Sequence, residues 1–261
     1  MYLPQPILDL VGNAPYTCDD IGKSGSTVLC YEQMVLKIEP KNEKFQQSVE
    51  MLRWLEGKLP APKVLCALTE GDFQYLLMSR VPGKMACDPE YTKDPEHLAE
   101  LLADALNMLW SVDISGCPNT WTLEQDLAAA RKRVQLGLVD TENVQPDTFG
   151  PGGFRDPEAL LQWLEENAPP MEPVFSHGDL CLPNVFFLDG KVSGFIDLGD
   201  CGISDKWRDI ALCWRSLLNN ISGVYATDPN PDFDPDILLQ KLGMEADREK
   251  LRYYILLDEL F

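Results

Sequence analysis

Two short apolar runs, 184–188 and 192–196, flank Asp189-Gly190, a strong signal for a two-residue β-hairpin turn. A hairpin constrains a chain tightly, because it fixes the placement of whatever lies at its two open ends. His177-Gly-Asp-Leu-Cys-Leu-Pro-Asn184 enters this one, and Phe195-Ile-Asp-Leu-Gly199 leaves it. The strands hold Asn184 and Asp197 near each other, with Asp179 on the loop just before. Taken singly, each reads as an ordinary turn or cap residue. In this order and spacing they match what phosphoryl transfer needs. That set is an acid–base carboxylate facing an acceptor hydroxyl (Asp179) and two oxygen ligands for the magnesium on nucleotide phosphates (Asn184, Asp197).

Composition narrows the alternatives. A chain of 261 residues, 45% hydrophobic and 25% charged, can form one large globular domain or two lobes. The first residues show neither a basic region nor a long apolar run, and no later run approaches a membrane span. Eight cysteines without a CxxC pair, with only two histidines, leave no zinc cluster and point to a reducing cytoplasm. The net charge of −20, from 22 basic and 42 acidic residues, argues against a nucleic-acid surface. It suits capture of a polycationic small ligand, although solubility alone also explains it. Segment 140–175 is acid-rich, with eight acids against Arg155 alone.

The first eighty residues read as β-rich with one helix. Val28–Tyr31 and Met34–Ile38 are paired strands, Gln74–Met78 a third, and Phe45, Val49, Leu52, Leu55 and Leu59 fall at helical spacing. The remainder is mainly helical, with apolar stripes from Leu98 to Leu109, Leu123 to Leu138 and Trp207 to Leu218. Val81-Pro-Gly83 is the joint between a small lobe, residues 1–81, and a larger one, 82–261.

The chain resembles the aminoglycoside phosphotransferases, especially the 3′-hydroxyl class. The resemblance rests on Trp54–Pro60, Leu76–Ser79, Ser176–Asp179, Asp189–Gly199, Asp205–Trp207 and Tyr253–Phe261, and extends over nearly the whole chain from about residue 22. It implies an α+β, two-lobed protein-kinase-like fold, with a β-rich N-lobe and a helical C-lobe. It implies ATP or GTP as phosphate donor with Mg2+, and a 3′-hydroxyl of an aminoglycoside as acceptor. Asp179 is then the catalytic base, or the acceptor that orients the sugar hydroxyl. His177 supports the loop, and Asp209 braces it from the helix behind, unless it is a solvated helix acid. Lys37 takes the strand position of the phosphate-binding lysine, unless the pleat turns it to solvent. Ser24, in Gly22–Thr27, covers the phosphates, and the Ser79–Val81 main chain receives adenine. Arg215 matches a position near the drug site. Asp258, Glu259 and the carboxylate of Phe261 form an anionic drug site, although Leu260-Phe261 reads equally well as a packed terminus.

Three positions depart from the family. Ser48 stands where a helix glutamate pairs with the strand lysine, and Glu50 lies roughly 200° around the helix from it. Asp200 replaces an arginine after Leu-Gly. Val35 stands where some members stack an aromatic ring on adenine. Two other readings stay open. One is a kinase of this fold acting on another small alcohol or amino-sugar, such as a choline-like amine or a macrolide. The other is a catalytically weakened nucleotide-binding relative.

Overall fold

The computed structural model describes residues 3–19 and 26–261. Helix α1 (Gln5–Val11) precedes strands β1 (Thr17–Asp19), β2 (Thr27–Cys30) and β3 (Met34–Pro40). Helix α2 (Phe45–Leu55) follows, then β4 (Val64–Glu70) and β5 (Phe73–Ser79). The strands form one antiparallel sheet in the order β1-β2-β3-β5-β4. Alternation along the pleat sorts its faces. Leu36 and Ile38 pack with Leu29, Tyr75 and Leu77 onto Ile7 and Val11 of α1. Val35, Lys37 and Glu39 therefore lie on the other face, with Lys37 between Val28 and Leu76 in register.

Helix α1 adds a second helix where the sequence pattern showed one. Its apolar signal is only Ile7 and Val11, one turn apart, too brief to stand out as a stripe. Both are buried, a gain of about 1.5–3 kcal/mol each, which is enough to dock so short a helix.

Beyond Ser79 the chain forms β6 (Lys84–Met85), α3 (Pro89–Thr92), α4 (Pro95–Trp110), α5 (Leu123–Gln135) and α6 (Pro157–Glu166). It continues through β7 (Pro173–Ser176), β8 (Val185–Leu188), β9 (Lys191–Phe195) and β10 (Gly202–Asp205) to α7 (Lys206–Ile221), α8 (Ile237–Lys241) and α9 (Arg248–Asp258). The predicted stripe of α4 is buried throughout, from Leu98 to Leu109. That of α5 stops short: the helix ends at Gln135 and Leu138 is exposed. Helix α2 contributes Phe45, Val49, Leu52 and Leu55 to the same continuous core as α4, α7 and α9. The small sheet is thus packed directly onto the helical part. Gly83 sits at the joint with φ +99°, where a Cβ would overlap the Phe187 carbonyl oxygen.

The hairpin forms as its turn residues require. Asp189 and Gly190 both have positive φ, 51° and 69°, and Leu188 pairs with Lys191. No helix among the described residues is long and apolar enough to cross a membrane. All eight cysteines are free thiols.

Candidate active site

The loop from His177 to Asn184 is shaped from behind by α7. Asp209 is wholly buried there, and its two carboxylate oxygens accept the main-chain N–H groups of His177 and Gly178 at 2.8 and 3.0 Å. The reading of Asp209 as a solvated helix acid therefore fails. Burial pushes its carboxyl upward, opposed by His177 and by those N–H donors. The preceding residue, Arg208, donates from Nε to the Gly178 carbonyl at 3.1 Å, and Asp126 of α5 holds the guanidinium at 3.1 Å. Successive residues of one helix thus bind both polar groups of Gly178. The sequence reading missed Arg208 and Asp126, which lie 82 residues apart and carry no local signal of their meeting. Gly178 itself has φ +88°, and a Cβ would overlap the Asp200 carbonyl oxygen.

The buried His177 ring bridges two segments. Nδ1 accepts the Asp179 N–H at 3.3 Å, so Nε2 carries the proton and donates to the Ile196 carbonyl at 2.9 Å. The ring thus ties the loop to the residue before Asp197.

Asp179 is exposed at the tip of this loop. Each of its carboxylate oxygens receives one donor from the same loop. The Cys181 thiol lies 3.1 Å from Oδ1, and the Asn184 amide lies 3.2 Å from Oδ2. Burial and then the neighbouring Asp179 carboxylate push the Cys181 thiol well above its ordinary range, so it stays protonated and donates. The Asn184 amide nitrogen also donates to the Asp179 carbonyl at 2.9 Å, leaving Asn184 Oδ1 with no described donor. The main chain of Asn184 accepts from Ile196 at 2.9 Å, which brings the two ends of the hairpin together. Asp197 follows in a left-handed conformation, φ 56° and ψ 50°, with an exposed carboxylate.

Across from it, Lys37 Nζ lies 3.9 Å from Asp197 Oδ1 and 3.6 Å from Glu39 Oε2. Lys37 does not turn away to solvent; it faces the hairpin. Ser48 does face this region, with its Oγ 3.9 Å from where a Gly199 Cβ would stand, but its hydroxyl donates back to the Lys44 carbonyl. Glu39 was not singled out from sequence, although a residue two along a strand shares the lysine's face. Asp200 pairs with Lys44 at 2.9 Å, both well exposed. The site thus has a cation just before α2 and an anion on the loop, where the resemblance implies an arginine.

A magnesium ion carried on phosphates needs only one or two protein oxygens, the remainder being phosphate and water. The Asn184 Oδ1 and the Asp197 carboxylate fit that donor set. No group of three or more His, Cys, Asp or Glu side chains among the described residues could hold a metal alone.

At the strand end, Ser79 N–H donates to Lys63 O at 2.9 Å, and its Oγ accepts the Lys63 N–H at 2.8 Å. Arg80 N–H donates to Gln33 O at 2.9 Å. The Val81 N–H has no described hydrogen-bond partner and could donate to an adenine acceptor. Ser24 lies outside the described residues.

The acids near the chain end divide. Arg215 of α7 is held by Asp258, and by Glu259 at 3.4 Å. Glu259 is almost fully buried, 6% exposed, and its Oε1 also accepts the Gln145 N–H at 3.3 Å. It does not present an open carboxylate. Asp258 does, at 39%. Burial pushes the Glu259 carboxyl up, Arg215 pulls it down, and Asp258 and Asp147 push it up again, so the acid-rich loop adjoins this corner. Asp258 and Arg215 are also felt at Cys181, which connects the corner to Asp179. The Phe261 main-chain oxygen accepts from Arg133, whose guanidinium lies over the Phe261 ring at 5.8 Å, while Leu260 is fully buried.

A model of the phosphotransferase enzyme family matches residues 20–254. The chain is 43% identical over 220 residues to an aminoglycoside 3′-phosphotransferase of Enterococcus faecalis, covering 83% of this chain and 78% of that one. It is 34% identical over 267 residues to one of Niallia circulans, covering 99% and 97%. The crystal structure of aminoglycoside-3′-phosphotransferase of type VIII superposes with a TM-score of 0.78 at 26% identity, covering 98% of both chains. A small sheet packed onto a helical body, with a buried-acid-braced loop and hairpin beneath it, defines a kinase-like enzyme of phosphoryl transfer. The chain belongs to the phosphotransferase enzyme family.

Proposed function

We propose that the chain transfers the γ-phosphoryl group of ATP or GTP to the 3′-hydroxyl of an aminoglycoside, and so confers resistance. One observation carries this reading: an exposed Asp179 carboxylate, clamped at each oxygen by a donor of its own loop, lies on the same hairpin unit as Asn184 and Asp197. The sugar hydroxyl hydrogen-bonds to Asp179, which aims its oxygen at the γ-phosphorus. The new P–O bond forms as the bond to the bridging oxygen breaks, the nucleoside diphosphate leaves, and the hydroxyl proton passes to Asp179 and then to solvent. A loose transition state asks for little early proton removal, so Asp179 acts mainly by positioning the hydroxyl. Lys37 receives phosphate oxygens, and the free Val81 N–H receives adenine. Bound magnesium, held by Asn184 and Asp197, would neutralise charge on the phosphates.

Nucleotide turnover measured with and without kanamycin tests the reading. Diphosphate release that requires the drug, with phosphate appearing on its 3′-hydroxyl, is expected. Turnover indifferent to the drug overturns it. Asn184→Ala and Asp197→Ala should each raise the magnesium concentration needed for half-maximal rate, because each removes one oxygen ligand. A magnesium titration checks this, and unchanged curves in both variants would count against those ligands.

The drug is a compact polycation, and the carboxylates of Asp258, Glu259 and Asp147 lie together beyond Asp179. Glu259 is buried and closed by Arg215 and Gln145, so Asp258→Asn, which neutralises the open carboxylate and leaves Arg215 its contact with Glu259, is the probe. It should raise the drug KM roughly three- to tenfold at low salt and leave the nucleotide KM unchanged, and the difference from wild type should shrink as salt is added. Drug KM measured across an ionic-strength series reads this directly.

A further inference from the structure

We propose that Glu39 is the positioning residue that holds Lys37 toward the nucleotide phosphates, in place of the helix carboxylate that this chain lacks at Ser48. The proposal rests on the reading of Lys37 as a phosphate ligand given above. Residues two apart on a strand project from the same face, so β3 supplies both the cation and its partner. Glu39 Oε2 lies 3.6 Å from Lys37 Nζ, while Oε1 accepts the Asn42 amide at 3.0 Å. The glutamate is therefore anchored on one oxygen and faces the lysine with the other. Asp197 approaches the same ammonium at 3.9 Å from the hairpin. An ammonium has three donors, so two carboxylate neighbours still leave one direction for phosphate. Both side chains are largely shielded, 29% exposed for Lys37 and 23% for Glu39, so the pair is less screened than an open surface one.

Ser48 cannot take this part, since its hydroxyl is turned back onto its own helix. A partner carried by the lysine's own strand differs from one carried by α2 in a further respect. Cation and anion move as one body, so the lysine is oriented whether or not the helix is drawn in. A carboxylate near the phosphates also repels them, and the sign of the measured change separates that effect from positioning.

The experiment is a double-mutant cycle on the full chain, using Glu39→Gln, Lys37→Met and the pair. ADP affinity is read by calorimetry, and nucleotide and drug KM by turnover. Glu39→Gln should weaken nucleotide affinity about tenfold, equivalent to about 1.4 kcal/mol, with drug KM within about twofold and melting temperature unchanged. In the Lys37→Met background the same change should have no further effect, because its only route is through the lysine. Equal or tighter nucleotide binding by Glu39→Gln, with Lys37→Met still impaired, overturns the proposal and leaves the reading of Lys37 intact. Fully additive losses overturn it as well, by placing Glu39 on an independent path. No loss from Lys37→Met overturns both the proposal and the reading beneath it.

Discussion

Asp179→Ala is expected to lower kcat by at least about two orders of magnitude while leaving nucleotide affinity unchanged. The loop survives the change. His177 and Gly178 stay anchored on Asp209, and the Asn184 amide keeps the Asp179 carbonyl as an acceptor at 2.9 Å. What is lost is the group that receives and aims the acceptor hydroxyl. Steady-state kinetics together with calorimetric nucleotide binding checks both halves. Retention of more than about a tenth of kcat would limit the contribution to under ~1.4 kcal/mol and remove Asp179 from the reaction.

Asp209→Ala should be as damaging, by a different route. Its carboxylate is fully buried and is the acceptor for two main-chain N–H groups, of which only that of Gly178 has an alternative, Ser176 Oγ at 3.1 Å. Losing it strands the His177 N–H in a dry interior. Relief from burying the charge offsets part of the cost, but hydrogen bonds to an ionised group and an orphaned donor outweigh it. A loss of about 3 kcal/mol is expected. In a chain of this size that lowers Tm by roughly 6–12 °C. A loop displaced by about 1 Å would also cut kcat roughly a hundredfold. Thermal melts and kcat at a temperature where the variant is still folded separate the two effects. Normal kcat in a destabilised protein would make Asp209 a packing group and nothing more.

Much of this was legible because the decisive residues are adjacent in sequence. Asp179, Asn184 and Asp197 lie within one loop and hairpin, where turn chemistry alone fixes proximity. Lys37 was placed by the strand position that the resemblance implies, and its face was settled only when Leu36 and Ile38 were found packed in the core. Partners brought together by tertiary packing were not legible. Nothing in the spacing of Arg208 and Asp126 shows that α5 and α7 meet behind Gly178. The fate of Glu259 was hidden in the same way: an Asp-Glu pair looks like an open anionic rim until Arg215 and Gln145 are seen closing on one member. Helix α1 escaped notice because two buried residues do not make a period. Glu39 is the exception, since the two-residue repeat of a strand puts it on the face of Lys37.

The Lys44–Asp200 contact has a consequence for descent. Both partners are exposed, so neither is needed for folding, yet each fixes which residue the other position tolerates. Installing at position 200 the arginine that the resemblance implies would set two cations side by side while Lys44 remains. The reverse change at 44 alone would oppose two anions. Only the double exchange is neutral, and a lineage must pass through a repulsive single step, or through an uncharged one, to reach it. An arginine placed alone at position 200 is therefore opposed by Lys44, and the two positions are best exchanged together.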